Sequence, residues 1–329
     1  MTMSSRILIQ VRNVKKYFPV GSGLFRRSRR YVKAVDGVSF DIPEGETYGL
    51  VGESGSGKTT LARVMLGLIE PTDGAVYFRG KNIFKLSKEE MRKIRREMQI
   101  IFQDPLASLN PRKTIEQTLK QVFKIHTSLS DDEILDRVKS LLEMVGLTPP
   151  ERFLSRYPHE LSGGQRQRVC IARAIALKPS FLIADEPVSA LDVSIRGQII
   201  KLIRRIHEEF NMAYLVITHD IALVKSMCKN VLVMYLGRLV EIGETMDVMK
   251  SPLHPYTQML LSAVPIPNPE IARERKKHRV VIGEPPSPIN PPKGCHFHPR
   301  CPYVKEICRK ERPELIRVDG RLVACHLYM

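Results

Sequence analysis

Apolar and polar residues alternate from Leu8 to Val14 and again from Val35 to Ile42, which predicts two strands with one buried face each. Short apolar runs follow at Thr47 to Val51, Met98 to Phe102, Phe181 to Ala184, Ala213 to Thr218 and Val231 to Tyr235, each of strand length. Between them lie helix-like segments, Thr60 to Ile69, Lys88 to Glu97, Gly197 to Phe210 and Ile221 to Cys228, and Pro71-Thr72-Asp73-Gly74 reads as a turn before a short strand, Ala75 to Arg79. Strands alternating with helices imply an α/β fold with a mainly parallel sheet. From Asp104 to about Arg168 the pattern turns helical, with Ile134, Leu135, Val138, Leu141, Leu142 and Val145 on one face, so this stretch reads as a helical insertion. From Pro252 onward prolines multiply, which disfavours long helices and marks an extended tail or small subdomain. The expected division is therefore a domain over 1–251 and a C-terminal extension over 252–329.

One junction carries chemistry. Gly52-Glu53-Ser54-Gly55-Ser56-Gly57-Lys58-Thr59 fits G-x-x-x-x-G-K-[ST] and stands between a strand-like and a helix-like run, the context of a phosphate-binding loop. Such glycines let backbone N–H groups curl around phosphate oxygens, Lys58 adds positive charge near the β and γ phosphates, and Thr59 is placed to bind Mg²⁺. The expected nucleotide contacts are Gly52, Ser54, Gly55, Ser56, Gly57, Lys58, Thr59 and Thr60. A second piece, Phe181-Leu182-Ile183-Ala184-Asp185-Glu186, is an apolar strand ending in two acids. A buried strand end fixes Asp185 beside a metal, and Glu186 is positioned to polarise an attacking water as general base.

Composition narrows the class. The chain is 43% hydrophobic and 26% charged, values of a globular protein rather than a disordered one, and its 329 residues leave no room for a second complete domain of the same kind. It has no apolar run of about 18 residues and a polar start from Met1 to Arg6, so a cytosolic chain is expected. Net charge is +17, from 52 Lys and Arg against 35 Asp and Glu, which suits nucleic acid, acidic lipid headgroups or an acidic protein face without choosing among them. Part of that charge sits between Pro19 and Lys33, where Arg26, Arg27, Arg29 and Arg30 form a basic loop, solvated or in contact with headgroups or an acidic partner.

Leu161-Ser162-Gly163-Gly164-Gln165 resembles the signature sequence of ABC ATPases, and Gln103, the Ser189-Ala190-Leu191-Asp192 loop and His219 complete that family's motif set in order. The resemblance implies a P-loop NTPase ABC cassette with an antiparallel β subdomain, a mainly parallel core sheet, a helical insertion and a small Cys-containing C-terminal region. It also implies that two cassettes pair head to tail, so that Ser162, Gly163, Gly164 and Gln165 complete the partner's ATP site and Asp192 crosses the interface. Gln103 is then expected at Mg²⁺ or the attacking water, and His219 at the γ-phosphate, orienting Glu186. The family places an aromatic ring under adenine on the first strand, and here Phe18 matches, with Tyr17 the near alternative.

The tail narrows the family. His254-Pro255-Tyr256-Thr257-Gln258, Leu260 to Pro265, Gly283-Glu284-Pro285-Pro286-Ser287-Pro288 and, earlier, Phe102-Gln103-Asp104-Pro105 with Ser108-Leu109-Asn110-Pro111-Arg112 resemble ATPase subunits of dipeptide and oligopeptide ABC importers. Relatives that move oligosaccharides or nickel complexes leave the cargo open. The implied partners are a second ABC ATPase subunit (self or sister), two transmembrane permease subunits and, indirectly, an extracytoplasmic solute-binding protein, with the chain peripheral on the cytoplasmic face of the cell membrane. Nucleic acid is not expected, because the soluble ABC ATPases that act on it carry tandem cassettes or a long coiled coil. Cys170 and Cys228 fall in packed helical segments, whereas Cys295, Cys301, Cys308 and Cys325 crowd the C-terminus with five, six and sixteen residues between them, which suggests metal before disulfide in a reducing compartment. That spacing matches neither zinc-finger nor ferredoxin runs. The resemblance implies a [4Fe–4S] cluster on these four thiolates, with zinc, using His296, His298 or His326, or no metal at all as the alternatives.

Overall fold

The computed structural model describes residues 6–20, 30–263 and 283–329. Arg26, Arg27 and Arg29 of the basic loop, and the tail prolines Pro265, Pro267 and Pro269, lie outside the described residues. Along the chain the first strands are β1 (Ile7–Val20), β2 (Arg30–Pro43), β3 (Thr47–Val51), β4 (Asp73–Phe78), β5 (Lys81–Asn82) and β6 (Met98–Ile101). They are followed by β7 (Phe181–Asp185), β8 (Ala213–Thr218), β9 (Asn230–Tyr235), β10 (Arg238–Glu244), β11 (Ile316–Val318) and β12 (Arg321–Val323).

The chain divides into two compact units. One comprises Ile7–Ile42, Thr47–Lys85 and Ile217–Met329. It holds an antiparallel sheet of order β2-β1-β4-β5 and a run β11-β12-β10-β9-β3, in which β3 lies parallel to β9 with Leu50 opposite Leu232. The expected strands are present but longer. β1 continues past Val14 because Lys15 pairs with Asp73 after an irregularity at Asn13, whose φ of 46° is left-handed. The helix after the phosphate loop spans Lys58–Met65, earlier than the expected Thr60 to Ile69, because the loop runs straight into its first turn and Gly67, at φ 63°, lies just past its end.

The second unit is built mainly from Leu86–Val216. Strands β6 and β7 pair in parallel, with Ile101 opposite Ala184, and β8 lies on the other side of β7. The helical insertion contains Ile115–His126 and Asp131–Met144, each opened by a reciprocal capping box, Thr114 with Gln117 and Ser130 with Glu133. The predicted apolar face is the packed one: Ile134, Val138, Leu142 and Val145 are buried. Burying each such aliphatic side chain contributes about 1.5–3 kcal/mol. The helix expected from Gly197 starts at Val193, because Asp192 already occupies the cap position and Gly197 lies inside the first two turns.

The described part of the tail holds a helix and a hairpin. A helix, Pro255–Ser262, begins with proline at its first position, where no N–H is needed, and His254 Nδ1 accepts from the Tyr256 N–H at 3.0 Å. Later, β11 and β12 form a hairpin whose second strand joins β10. Among the described residues no helix is long and apolar enough to cross a membrane.

Candidate functional site

In the first unit β3 delivers the chain into the phosphate loop. Lys58 is folded over that loop, its Nζ donating to the carbonyls of Gly52 and Glu53 at 2.8 Å each and to Ser56 Oγ at 3.3 Å. Ser54 and Gly55 form the exposed tip, and Thr59 and Thr60 stand in the first turn of the helix Lys58–Met65. Gly57 admits no side chain: its φ is 104°, and a Cβ there would lie 2.0 Å from the Ala34 carbonyl oxygen. The loop thus ends in a helix N-terminus, the polarity that favours an anion.

The aromatic candidates separate. The Tyr17 hydroxyl donates to Asp36 Oδ1, and burial followed by that bond pushes the phenol well above its ordinary range. Phe18 makes no such bond, and its side chain is 39% exposed. Asp36 is itself buried and receives Arg238 at 2.9 and 3.1 Å and Arg312 at 3.3 Å. His219 follows the end of β8 at an exposed position, just before Asp220 caps the helix Ile221–Met227 by accepting from the N–H groups of Ala222 and Leu223.

The second unit holds the remaining motifs. Since β6 and β7 run parallel with Ile101 beside Ala184, residues two positions further on each strand come side by side. Those residues are Gln103 and Glu186, and Gln103 Nε2 donates to Glu186 Oε2 at 3.0 Å. Asp185, the last residue of β7, is buried, whereas Glu186 adopts φ 45°, a left-handed conformation that costs about 1–2 kcal/mol in a non-glycine residue.

Ser162 caps the signature helix Gly163–Ile175, its Oγ accepting from the Gln165 N–H at 3.3 Å while Gln165 Oε1 accepts from the Ser162 N–H at 3.0 Å. Gly164 is required by packing, because a Cβ there would meet Ile195 Cγ2 at 2.8 Å. Through Ile195 and Leu191 the Ser189-to-Asp192 loop lies against the signature helix, and Asp192 and Val193 are exposed beyond it. Nearby in the same unit a groove of about 310 Å³ is lined by Gln99, Asn110, Lys113, Gln121, His126 and Arg173.

In the tail, Cys308 and Cys325 are buried and Cys295 and Cys301 half-buried, and the Cys295 N–H donates to the Cys308 carbonyl at 2.8 Å. Burial first, and then the charges of Cys308, Cys325 and Cys301, push the Cys295 thiol up to about 12. Cys301 also acts on Cys325, and Cys308 acts on both, so the four thiols lie within mutual electrostatic reach. No group of three or more His, Cys, Asp or Glu side chains among the described residues is disposed to hold a metal ion.

Sequence reasoning missed Asp36, Tyr256, Arg300 and Arg312. Glu53, the second residue of the phosphate loop, receives Arg300 through two hydrogen bonds at 2.8 and 3.0 Å, and its N–H donates to the Tyr256 hydroxyl at 2.8 Å. The only signal was compositional: an arginine directly before Cys301 and a tyrosine inside His254-to-Gln258.

Two family models match the chain, one described as ABC transporter over residues 35–189 and one as oligopeptide/dipeptide transporter, C-terminal region, over residues 240–308. The chain is 51% identical to the oligopeptide transport ATP-binding protein AppF of Bacillus subtilis, over 98% of this chain and 97% of that protein. It is 47% identical to the dipeptide transport ATP-binding protein DppF of Haemophilus influenzae, over 97% of this chain and 96% of that protein. Among solved structures, the dimeric post-hydrolysis state of the ATP-binding cassette MJ0796 bound to ADP and Pi matches with a TM-score of 0.64 at 32% identity, covering 72% of this chain and 99% of that one.

Proposed function

As the chain belongs to the ABC transporter ATPase family and carries the oligopeptide/dipeptide transporter C-terminal region, we propose that it powers import of dipeptides or oligopeptides from the cytoplasmic face of the cell membrane. It is an ATPase, and residues 1–251 form the nucleotide-binding domain in this reading, with 252–329 as its extension. The observation that carries the catalytic assignment is the Gln103–Glu186 hydrogen bond at 3.0 Å, which joins a water-activating carboxylate to the residue that leads into the helical insertion. Glu186 takes the proton of the attacking water. His219 orients that carboxylate and contacts the γ-phosphate, while Lys58 and the loop N–H groups from Gly52 to Thr60 bind the phosphates. Thr59, Asp185 and Gln103 would hold Mg²⁺, which supplies charge neutralisation on the phosphates. Phe18 is the ring for adenine, since the Tyr17 hydroxyl is engaged by Asp36.

Ser162 to Gln165 and Asp192 face a second cassette, self or sister, and ATP closes the pair. The exposure of Asp192 and Val193, the latter 82% exposed, supports that assignment. The groove beside Asn110 and Arg173 receives a permease segment, so that Gln103 and the helical insertion pass movement on. In cells whose own copy is replaced by Glu186→Gln, uptake of a labelled peptide should fall to background while the purified variant still dimerises with ATP. Uptake at the parental rate would remove Glu186 from its role and the chain from peptide import.

For the tail we infer a [4Fe–4S] cluster on Cys295, Cys301, Cys308 and Cys325, with zinc as the alternative. A zinc ion draws its sulfurs to about 2.3 Å from the metal, whereas a cluster spreads four thiolates around a larger core. What supports this reading is the family resemblance together with four thiols of one tail within electrostatic reach of one another. When bound, a cluster would supply a cross-link among the tail segments. Anaerobic purification with metal analysis should find about four irons and four sulfides per chain, lost in Cys301→Ser. Stoichiometric zinc would replace the cluster, and neither metal would reduce the tail to a packing element.

A further inference from the structure

Glu53 is held at each of its hydrogen-bonding groups. Its carbonyl accepts from Lys58 Nζ at 2.8 Å, its N–H donates to the Tyr256 hydroxyl at 2.8 Å, and its carboxylate accepts from both terminal nitrogens of Arg300 at 2.8 and 3.0 Å. Two of these partners come from the C-terminal region, 203 and 247 residues away along the chain. Arg300 is only 4% exposed, and its guanidinium lies over the rings of Tyr235 and Phe297 at 5.9 and 5.8 Å. Tyr256 packs against the same rings at 4.5 and 5.5 Å. A two-pronged guanidinium–carboxylate pair backed by three aromatic rings has one geometry rather than several.

We propose that the C-terminal region acts on the ATP site through Glu53, with Arg300 and Tyr256 as positioning residues for the phosphate loop. The inference rests on the reading of that loop as the ATP site. Two physical effects support it. A loop that receives polyphosphate here carries a carboxylate at its second position, and an unpaired negative charge there opposes an anionic ligand; Arg300 neutralises it. The Tyr256 hydroxyl and Arg300 also fix the Glu53 backbone and side chain, so the loop is organised before the nucleotide arrives and loses less entropy on binding.

The effects separate by substitution, measured on the full-length chain as equilibrium binding of a fluorescent ATP analogue with Mg²⁺. Wild type and Lys58→Ala come first. Binding lost in Lys58→Ala places the analogue on the loop, and equal binding by the two would overturn the reading of the loop itself. On that footing Arg300→Met should raise Kd about tenfold and Tyr256→Phe, which keeps the ring, about threefold. Adding Glu53→Gln to Arg300→Met should recover most of the lost affinity, because the unpaired charge is gone. The proposal is overturned if Arg300→Met and Tyr256→Phe both bind like wild type, or if Glu53→Gln leaves the Arg300 loss in full, as a purely structural contact would. Should Arg300→Met not fold, Arg300→Lys keeps the charge without the two-pronged geometry; about a threefold rise in Kd is expected, and wild-type binding overturns the proposal.

Discussion

At the scale of single residues, the phosphate loop shows how unequal neighbouring glycines are. Gly55 has φ 76° but open space where a Cβ would go, whereas Gly57 combines φ 104° with a backbone oxygen 2.0 Å from that point. Alanine at Gly55 pays only the left-handed backbone, about 1–2 kcal/mol. At Gly57 alanine must also push the chain away from the Ala34 carbonyl of β2. Gly57→Ala should therefore raise the Kd for an ATP analogue at least tenfold and lower thermal stability, while Gly55→Ala keeps most binding. Equal affinities in the two variants would show that the loop relaxes around the clash. Glu186 sits in a similarly restricted conformation, at φ 45°, and its place beside Gln103 follows from strand register rather than from any local preference.

At the scale of elements, the helix Pro255–Ser262 is held by two buried groups. Glu241 accepts from the N–H groups of Leu253 and His254 at 3.0 and 2.9 Å, and His254 caps the helix through Nδ1, which requires a neutral ring. Burial pushes the His254 imidazole down from 6.5 to about 3. Between these values the unfolded chain binds a proton that the folded chain refuses. The stability contributed by the neutral ring is therefore present above about pH 6.5 and is lost as pH falls toward 3, at about 1.4 kcal/mol per pH unit. His254→Asn keeps a side-chain acceptor at the cap and does not titrate. The fall in thermal stability between pH 6.5 and 4 should be shallower in this variant by about that slope; identical slopes would mean that another group carries the acid sensitivity.

At the scale of the whole molecule, the parts legible in sequence are those whose physics is contiguous. A phosphate loop needs glycines, a lysine and a helix start within eight successive residues, and a buried strand ending in Asp185-Glu186 or a capped helix opening at Ser162 is likewise written in adjacent letters. Hydrophobic period alone determined the α/β alternation, the helical insertion and the buried face Ile134-Val138-Leu142, because burial repeats with the geometry of each element. Tertiary structure decided what depends on distant segments meeting: the parallel register that sets Gln103 against Glu186, the hairpin β11–β12 added to β10, Asp36 shared by Tyr17, Arg238 and Arg312, and Glu53 gripped by Arg300 and Tyr256. These contacts join residues tens to hundreds of positions apart. No periodicity announces them, since an ion pair or a ladder register is specified by where two surfaces meet and not by the residues next to either partner in the chain.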